Sequence, residues 1–196
     1  MSGRFRELVK ATARFVATLV ALPWLTSFWL KSFVLGRDRA LEGSSQSLSL
    51  IPGLPGRYLR QAFLAKTLTG CDATTVIEFG TIFAQTGARL DERVYIGPRC
   101  HLGLVHIEAY AMLSAGVHVP SGQYTHEAET DQPMQLQPMA RRMVHIGIGT
   151  WIGSGAIIMA DIGQNTIVGA GAVVTRPIPD GVVAAGVPAR VLRQRV

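Results

Sequence analysis

The chain has 196 residues, of which 48% are hydrophobic and only 16% charged, with 21 glycines and two cysteines. That length fits one domain plus an appendage, and Cys71 and Cys100 alone exclude a disulfide framework and suit a reducing compartment. The net charge of +6 is unevenly placed: the basic surplus lies in residues 1–70, whereas residues 71–196 are close to neutral. This argues against a nucleic-acid-binding body and for a basic appendage at an anionic membrane surface.

From Phe15 to Leu30 the chain reads FVATLVALPWLTSFWL, without a charge, between Arg14 and Lys31. A bilayer span takes about 20 apolar residues, so the run is short, and Pro23 in its middle interrupts a straight helix. Arg4, Arg6, Lys10 and Arg14 precede it, and Lys31, Arg37 and Arg39 follow. A simple span should have unequal flanks. Two basic flanks better fit a segment that dips in and returns, or one lying in the interface with Trp24 and Trp29 at headgroup depth. A single span and a cleaved signal peptide are the rivals; the long basic leader and the lack of a small-residue cleavage site weigh against the latter. Residues 1–42 are thus expected to form a helical, membrane-associated segment. In residues 43–75 a linker is expected first, GSSQSLSLIPGLPG at 43–56. A short amphipathic helix then runs from Arg57 to Leu68, with Tyr58, Leu59, Ala62, Phe63 and Leu64 at helical spacing and Gly70 as its stop.

From about residue 76 the period changes to six. Leu90, Ile96 and Leu102, then Ile107, Leu113 and Val119, then Ile146, Ile152 and Ile158, then Ile162, Val168 and Val174 are spaced alike, and glycine follows several of them. A six-residue period is the mark of a parallel β-helix in which each hexamer makes one short strand and one corner. The aliphatic residue points inward, and the small residue after it allows a tight corner. Residues 76–196 are expected to make about five coils, broken by a polar excursion at about 120–143 that displays one histidine, His126.

The run VHIGIGTWIGSGAIIMADIGQNTIVGAGAVVTRPIPDGVVAAGVPARVLR, residues 144–193, resembles the C-terminal coils of hexapeptide-repeat O-acetyltransferases, of the polysaccharide-biosynthesis and maltose/galactoside acetyltransferase kind. The resemblance covers about 120 residues and rests on W-I-G, V-G-A-G-A-V-V-T-R and G-V-P-A-R-V. It implies a mainly β fold, a left-handed parallel β-helix carrying the N-terminal helical appendage. It also implies a homotrimer with acetyl-CoA lying along the coils between neighbours, and no metal. One departure stands out: Ile158-Met-Ala-Asp-Ile162 is two residues shorter than the usual segment, which puts the local corner in doubt.

The chemistry of the donor fits that resemblance. Pantetheine is a string of amides that backbone at Gly153, Ser154, Ala170 and Gly171 could meet. The CoA phosphates need cations, and Arg176 and Arg190, with Arg193, stand where the family places them. Thr175 joins that set, and Trp151 packs against the loop, the pantetheine or simply its own coil. Transfer to a sugar hydroxyl needs a base, which histidine supplies near neutral pH. His101, His106, His118 and His145 lie in regular repeats, where structural roles prevail; His126 alone sits in the excursion, in a loop context like that of the family's catalytic histidine. Glu127, Glu129 or Asp131 could orient its ring, as could Glu108, and Gln85 is a candidate contact to the acceptor. The expected activity is O-acetylation of a sugar on a lipid-linked or surface-polysaccharide precursor, at the cytoplasmic face of the membrane. The alternatives are N-acetyl or other short-acyl transfer to an amino sugar, and a γ-carbonic-anhydrase-like zinc enzyme using His101 and His106. The latter lacks an earlier histidine as third ligand.

Overall fold

The computed structural model describes residues 3–122, 133, 136–137 and 140–195. Four helices come first: α1 (Gly3–Val20), α2 (Leu22–Leu35), α3 (Arg37–Ser49) and α4 (Gly53–Thr67). Short strands then stack into three faces. The first face holds β1 (Gly70–Cys71), β4 (Arg89–Leu90), β7 (Val105–Ile107) and β10 (Val144–Ile146). The second holds β2 (Val76–Ile77), β5 (Tyr95–Ile96), β8 (Met112–Leu113), β11 (Trp151–Ile152), β13 (Ile167–Val168) and β15 (Val182–Gly186). The third holds β3 (Ile82–Phe83), β6 (His101–Leu102), β9 (His118–Val119), β12 (Ile157–Ile158) and β14 (Val173–Val174). Each strand pairs in parallel with its counterpart one coil away, and only β16 (Ala189–Gln194) runs antiparallel, folding back on β15.

The result is a parallel solenoid of about six turns. That is one more than the hexamers suggest, because the first coil begins at Gly70 and its inward Ile77 and Phe83 are not followed by glycine. The period dictates the core. Ile77, Ile96, Leu113, Ile152, Val168 and Ala184 form one inward column, in register from coil to coil, and each is 0% exposed. Burying each of the larger aliphatics contributes roughly 1.5–3 kcal/mol. The shortened segment before Ile162 has the local effect the sequence suggests: Ile162 joins the first face only through isolated bridges to Ile146 and Ile178.

An open solenoid end leaves backbone groups of its first coil without partners, and the helices supply them. Ser45 Oγ accepts from Phe83 N at 2.9 Å. Asp38 Oδ1 accepts from the Thr86 backbone N at 2.9 Å and from its hydroxyl at 2.8 Å. The Ser49 carbonyl accepts from Gly80 N at 2.8 Å. The expected linker is therefore helix over residues 43–49, because Ser44, Ser45, Leu48 and Ser49 bury one side of α3 at this end of the solenoid. Likewise α4 starts at Gly53 rather than Arg57, with Pro55 in its first turn, where a missing N–H costs nothing. Arg60 of α4, only 2% exposed, ties the parts together: Nε donates to Ile77 O at 3.0 Å, and Nη1 to Leu48 O at 3.2 Å and Ile51 O at 2.7 Å.

The uncharged run breaks where proline suggests. Pro23 occupies the first turn of α2, and α1 and α2 meet at a bend of 47°. Among the described residues no single helix is long and apolar enough to cross a membrane; the bent pair passes that test together, by length and composition.

Candidate functional site

The excursion leaves and rejoins the solenoid at one point. Ser121 O accepts from Arg142 N at 2.8 Å, and Ser121 Oγ accepts from Leu104 N at 2.7 Å. Gly122, at φ 104°, makes the exit that a side chain would resist. Arg142 also pairs with Asp161 of the next coil. His126, Glu127, Glu129 and Asp131 lie outside the described residues. Their neck, however, is fixed in the corner between the third and first faces. Asp161, then Thr175 and Arg176, stand in the same corner column one and two coils on. Gln85 is in this column too, but buried in the first coil.

A second column runs along the corner between the second and third faces and collects most of the expected donor-binding residues. Gly153 lies against Ala170: a Cβ there would come within 2.4 Å of Ala170 N. Gly153 N–H donates to Val168 O at 2.7 Å, and Gly171 N–H to Ser154 O at 2.8 Å. The backbone donors expected at Gly153 and Gly171 are thus engaged within the stack, and glycine at 153 is first of all a packing requirement. Gly171 differs, since space beyond its Cα is open, and with exposed Ser154 and Ala170 it forms a smooth ledge. Arg190 reaches the end of this column. It pairs across β16 with Ala185, whose Cβ lies 2.8 Å from where a Cβ on Gly169 would be. Arg176 and Arg190, both exposed, therefore stand in different corner columns of one chain. Trp151 is exposed on the second face, in register with Met112 and Ile167, and its Nε1 donates to Ser114 Oγ at 2.9 Å.

The third face between the two columns carries a pair that the sequence reading assigned to structure. His101 and His118 are register partners, with rings stacked 5.1 Å apart at 5°. The signal was present: each histidine directly precedes an inward residue, Leu102 or Val119, so both must face outward on adjacent coils. Burial, then the neighbouring His101, push the His118 pKa below its ordinary 6.5. On acidification the unfolded chain therefore takes up this proton before the folded chain does. The stability tied to neutral His118 is complete above the ordinary value and is lost as pH falls through the lowered one. Thermal melts from pH 7.5 downward should show a falling midpoint, and His118→Asn should flatten that decline.

His106 lies on the first face instead, its Nε2 3.0 Å from Asp91 Oδ2 and its ring 5.6 Å from His145. The His101-to-His106 spacing that suggested zinc is thus split between two faces of the solenoid. Glu108 is engaged elsewhere, its Oε2 accepting from Ile148 N at 3.1 Å.

No protein-family model and no curated protein matches the sequence. Solved structures do match the fold. A maltose O-acetyltransferase from Clostridium difficile 630 is similar with a TM-score of 0.68 and 23% identity, over 80% of this chain and 87% of that one. A galactoside acetyltransferase in complex with coenzyme A is similar with a TM-score of 0.65 and 22% identity, over 83% of this chain and 84% of that one. An N-acyltransferase from Bacillus cereus, AntD, in complex with dTDP-4-amino-4,6-dideoxyglucose and coenzyme A, is similar with a TM-score of 0.52 and 18% identity, over 65% and 72%. The six-residue period, the parallel coils and these likenesses agree: the chain has the β-solenoid fold of the hexapeptide-repeat acyltransferases.

Proposed function

We propose that the protein is an acetyl-CoA-dependent O-acetyltransferase acting on a saccharide. The observation that carries this reading is the match, over about four-fifths of the chain, to the fold of a maltose O-acetyltransferase and of a galactoside acetyltransferase holding coenzyme A. The ledge at Ser154, Ala170 and Gly171 suits a long, thin amide chain, because no side chain obstructs it and space is open at Gly171. Trp151 flanks it, Arg190 stands at its end as a cation for phosphate, and Thr175 and Arg176 stand in the other corner column. The two arginines stand in different columns, so a donor lying between neighbouring solenoids of a homotrimer could meet one from each chain.

In the reaction, His126 accepts the proton of the sugar hydroxyl while that oxygen attacks the thioester carbonyl. The tetrahedral oxyanion then collapses, the C–S bond breaks, and the imidazolium of His126 returns its proton to the departing sulfur, so that CoA leaves as its thiol and the base is restored. Glu127 or Asp131 orients the imidazole. The basic, apolar helices α1 and α2 support a seat at the cytoplasmic face of a membrane and a lipid-linked or surface-polysaccharide precursor as acceptor. Similarity to an N-acyltransferase favours one other reading, transfer to an amino sugar. Purified protein given acetyl-CoA and a panel of hexoses, amino sugars, nucleotide sugars and lipid-linked saccharides, with free thiol measured, separates the two.

Arg176→Ala and Arg190→Ala should each weaken acetyl-CoA binding and make what remains less sensitive to salt, because phosphate contacts act through charge. Titration calorimetry at two salt concentrations reads this directly. Unchanged affinity in both variants would remove them from the donor site.

A further inference from the structure

We propose that the crevice between α1 and α4 binds the phosphate headgroup and adjoining hydrocarbon of an anionic membrane lipid. Two hollows meet there. One, of about 620 Å³, is apolar and runs along α1 and α4 between Val9, Val16, Val20 and Leu54. The other, of about 450 Å³, lies where α1 and α4 approach the first coils and is lined by Lys10, Arg14, Arg57 and Arg93. Leu54 and Tyr58 line both, so the apolar hollow and the cationic one lie side by side across these two residues.

The sequence of α1 sets up this division. Val9, Ala13, Val16 and Val20 recur at helical spacing on one stripe, and Glu7, Lys10 and Arg14 on the next. Arg93 is delivered from the second coil, in a turn held by Thr74 Oγ1 accepting from its backbone N at 2.7 Å. The cations are only partly compensated. Lys10 pairs with Glu7 at 2.8 Å, Arg57 with Glu78 at 2.5 Å, and Arg93 lies over the Tyr110 ring at 5.7 Å. Arg14 forms no ion pair among the described residues, and its charge acts on Glu7 and Asp72 only through space.

A soluble anion would use the cations and leave the apolar hollow exposed to water. A lipid uses both, with its phosphate among the arginines and its chain along exposed Val9, Val16 and Leu54, which are 49%, 50% and 63% exposed. The hollow follows Val16, Ala17 and Val20 along the part of the uncharged run that lies in α1, which is the direction a bilayer-resident chain would take. This deepens the lipid-linked part of the proposed function, yet it concerns binding alone and can stand if acetyl transfer fails.

The test uses the full chain. Flotation with vesicles of phosphatidylcholine, alone or mixed with phosphatidic acid, should show binding that depends on the anionic lipid. Lys10→Gln and Arg14→Gln should each lower it roughly fivefold, the usual worth of one basic residue at such a surface. Lys66→Gln and Arg99→Gln, equal losses of charge on exposed side chains outside both the crevice and the flanks of the uncharged run, should change it less than about twofold on the same scale. Calorimetry against inorganic phosphate and against a short-chain phosphatidic acid below its micelle concentration separates the two sources of the anion. The lipid should bind at least about tenfold tighter, since burying two methylenes is worth more than that, and Val16→Asp should abolish the difference. Equal affinities would make this a free-anion site, and equal losses in all four charge variants would reduce it to general adsorption; either result overturns the proposal. Unchanged melting midpoints confirm that the variants remain folded.

Discussion

Replacing His126 by alanine should lower kcat for acetyl transfer by about 10²–10⁴-fold, the usual contribution of a positioned general base. Acetyl-CoA affinity and oligomer formation should remain, because Ser121 and Arg142 meet at the neck and the inward residues on either side, Val119 and Val144, belong to the coils themselves. The wild-type pH–rate profile should fall on the acid side, where a protonated imidazole can no longer accept the hydroxyl proton. The nearest competitor is His118, on β9 just before the neck and already biased toward its neutral form. His118→Asn should change activity only as far as it changes stability. Full activity in His126→Ala, together with its loss in His118→Asn, would move the base to the third face.

The second large effect concerns Arg60. Its guanidinium serves the carbonyls of Leu48, Ile51 and Ile77, which belong to the end of α3, the turn after it and the first coil. Arg60→Met keeps roughly the volume but takes the guanidinium donor from the Ile51 and Ile77 carbonyls, each at a cost of about 1–3 kcal/mol, whereas Leu48 O keeps the Ile51 N–H at 3.3 Å. A loss of about 3 kcal/mol or more should follow, read as a drop in the urea midpoint at unchanged slope. Arg57, on the same helix, is the contrast. Its bridge to Glu78 involves a side chain 42% exposed, and Arg57→Ala should cost less than about 1 kcal/mol. Similar costs for the two would mean that the helices are not clamped to the solenoid through Arg60.

The repeat was legible because burial recurs at six-residue steps within each coil, so the inward columns that hold Leu90, Ile96, Leu113, Ile152 and Val174 followed from that spacing, with slips before Ile107 and Ile162. The break at Pro23 was legible for the same kind of local reason. What composition concealed was α3. Serine reads as linker when its hydroxyl has no known partner, and only the stacked first coil shows that Ser45 meets Phe83 N and Asp38 meets Thr86. A truncation placed after residue 42 on the strength of the sequence would remove Asp38 and the buried Leu41, so the cut belongs before Gly36. At the candidate site, the sequence grouped Gly153, Ser154, Ala170 and Gly171, which the fold does place in one corner column. It could not tell that two of its amides are engaged by neighbouring coils, because that depends on how one turn rests on the next.

The closed neck of the excursion has a consequence for how such a protein can change. Ser121 and Arg142 meet whatever chain lies between them, and β10 stacks on β7 in register directly after. Lengthening an enclosed loop is cheap, about 0.6 kcal/mol for each doubling, and the register of later coils does not sense it. The segment is therefore an exchangeable cassette: one loop could be grafted for another between solenoids, and on the proposed function selection could retune the acceptor without renegotiating the stack beneath.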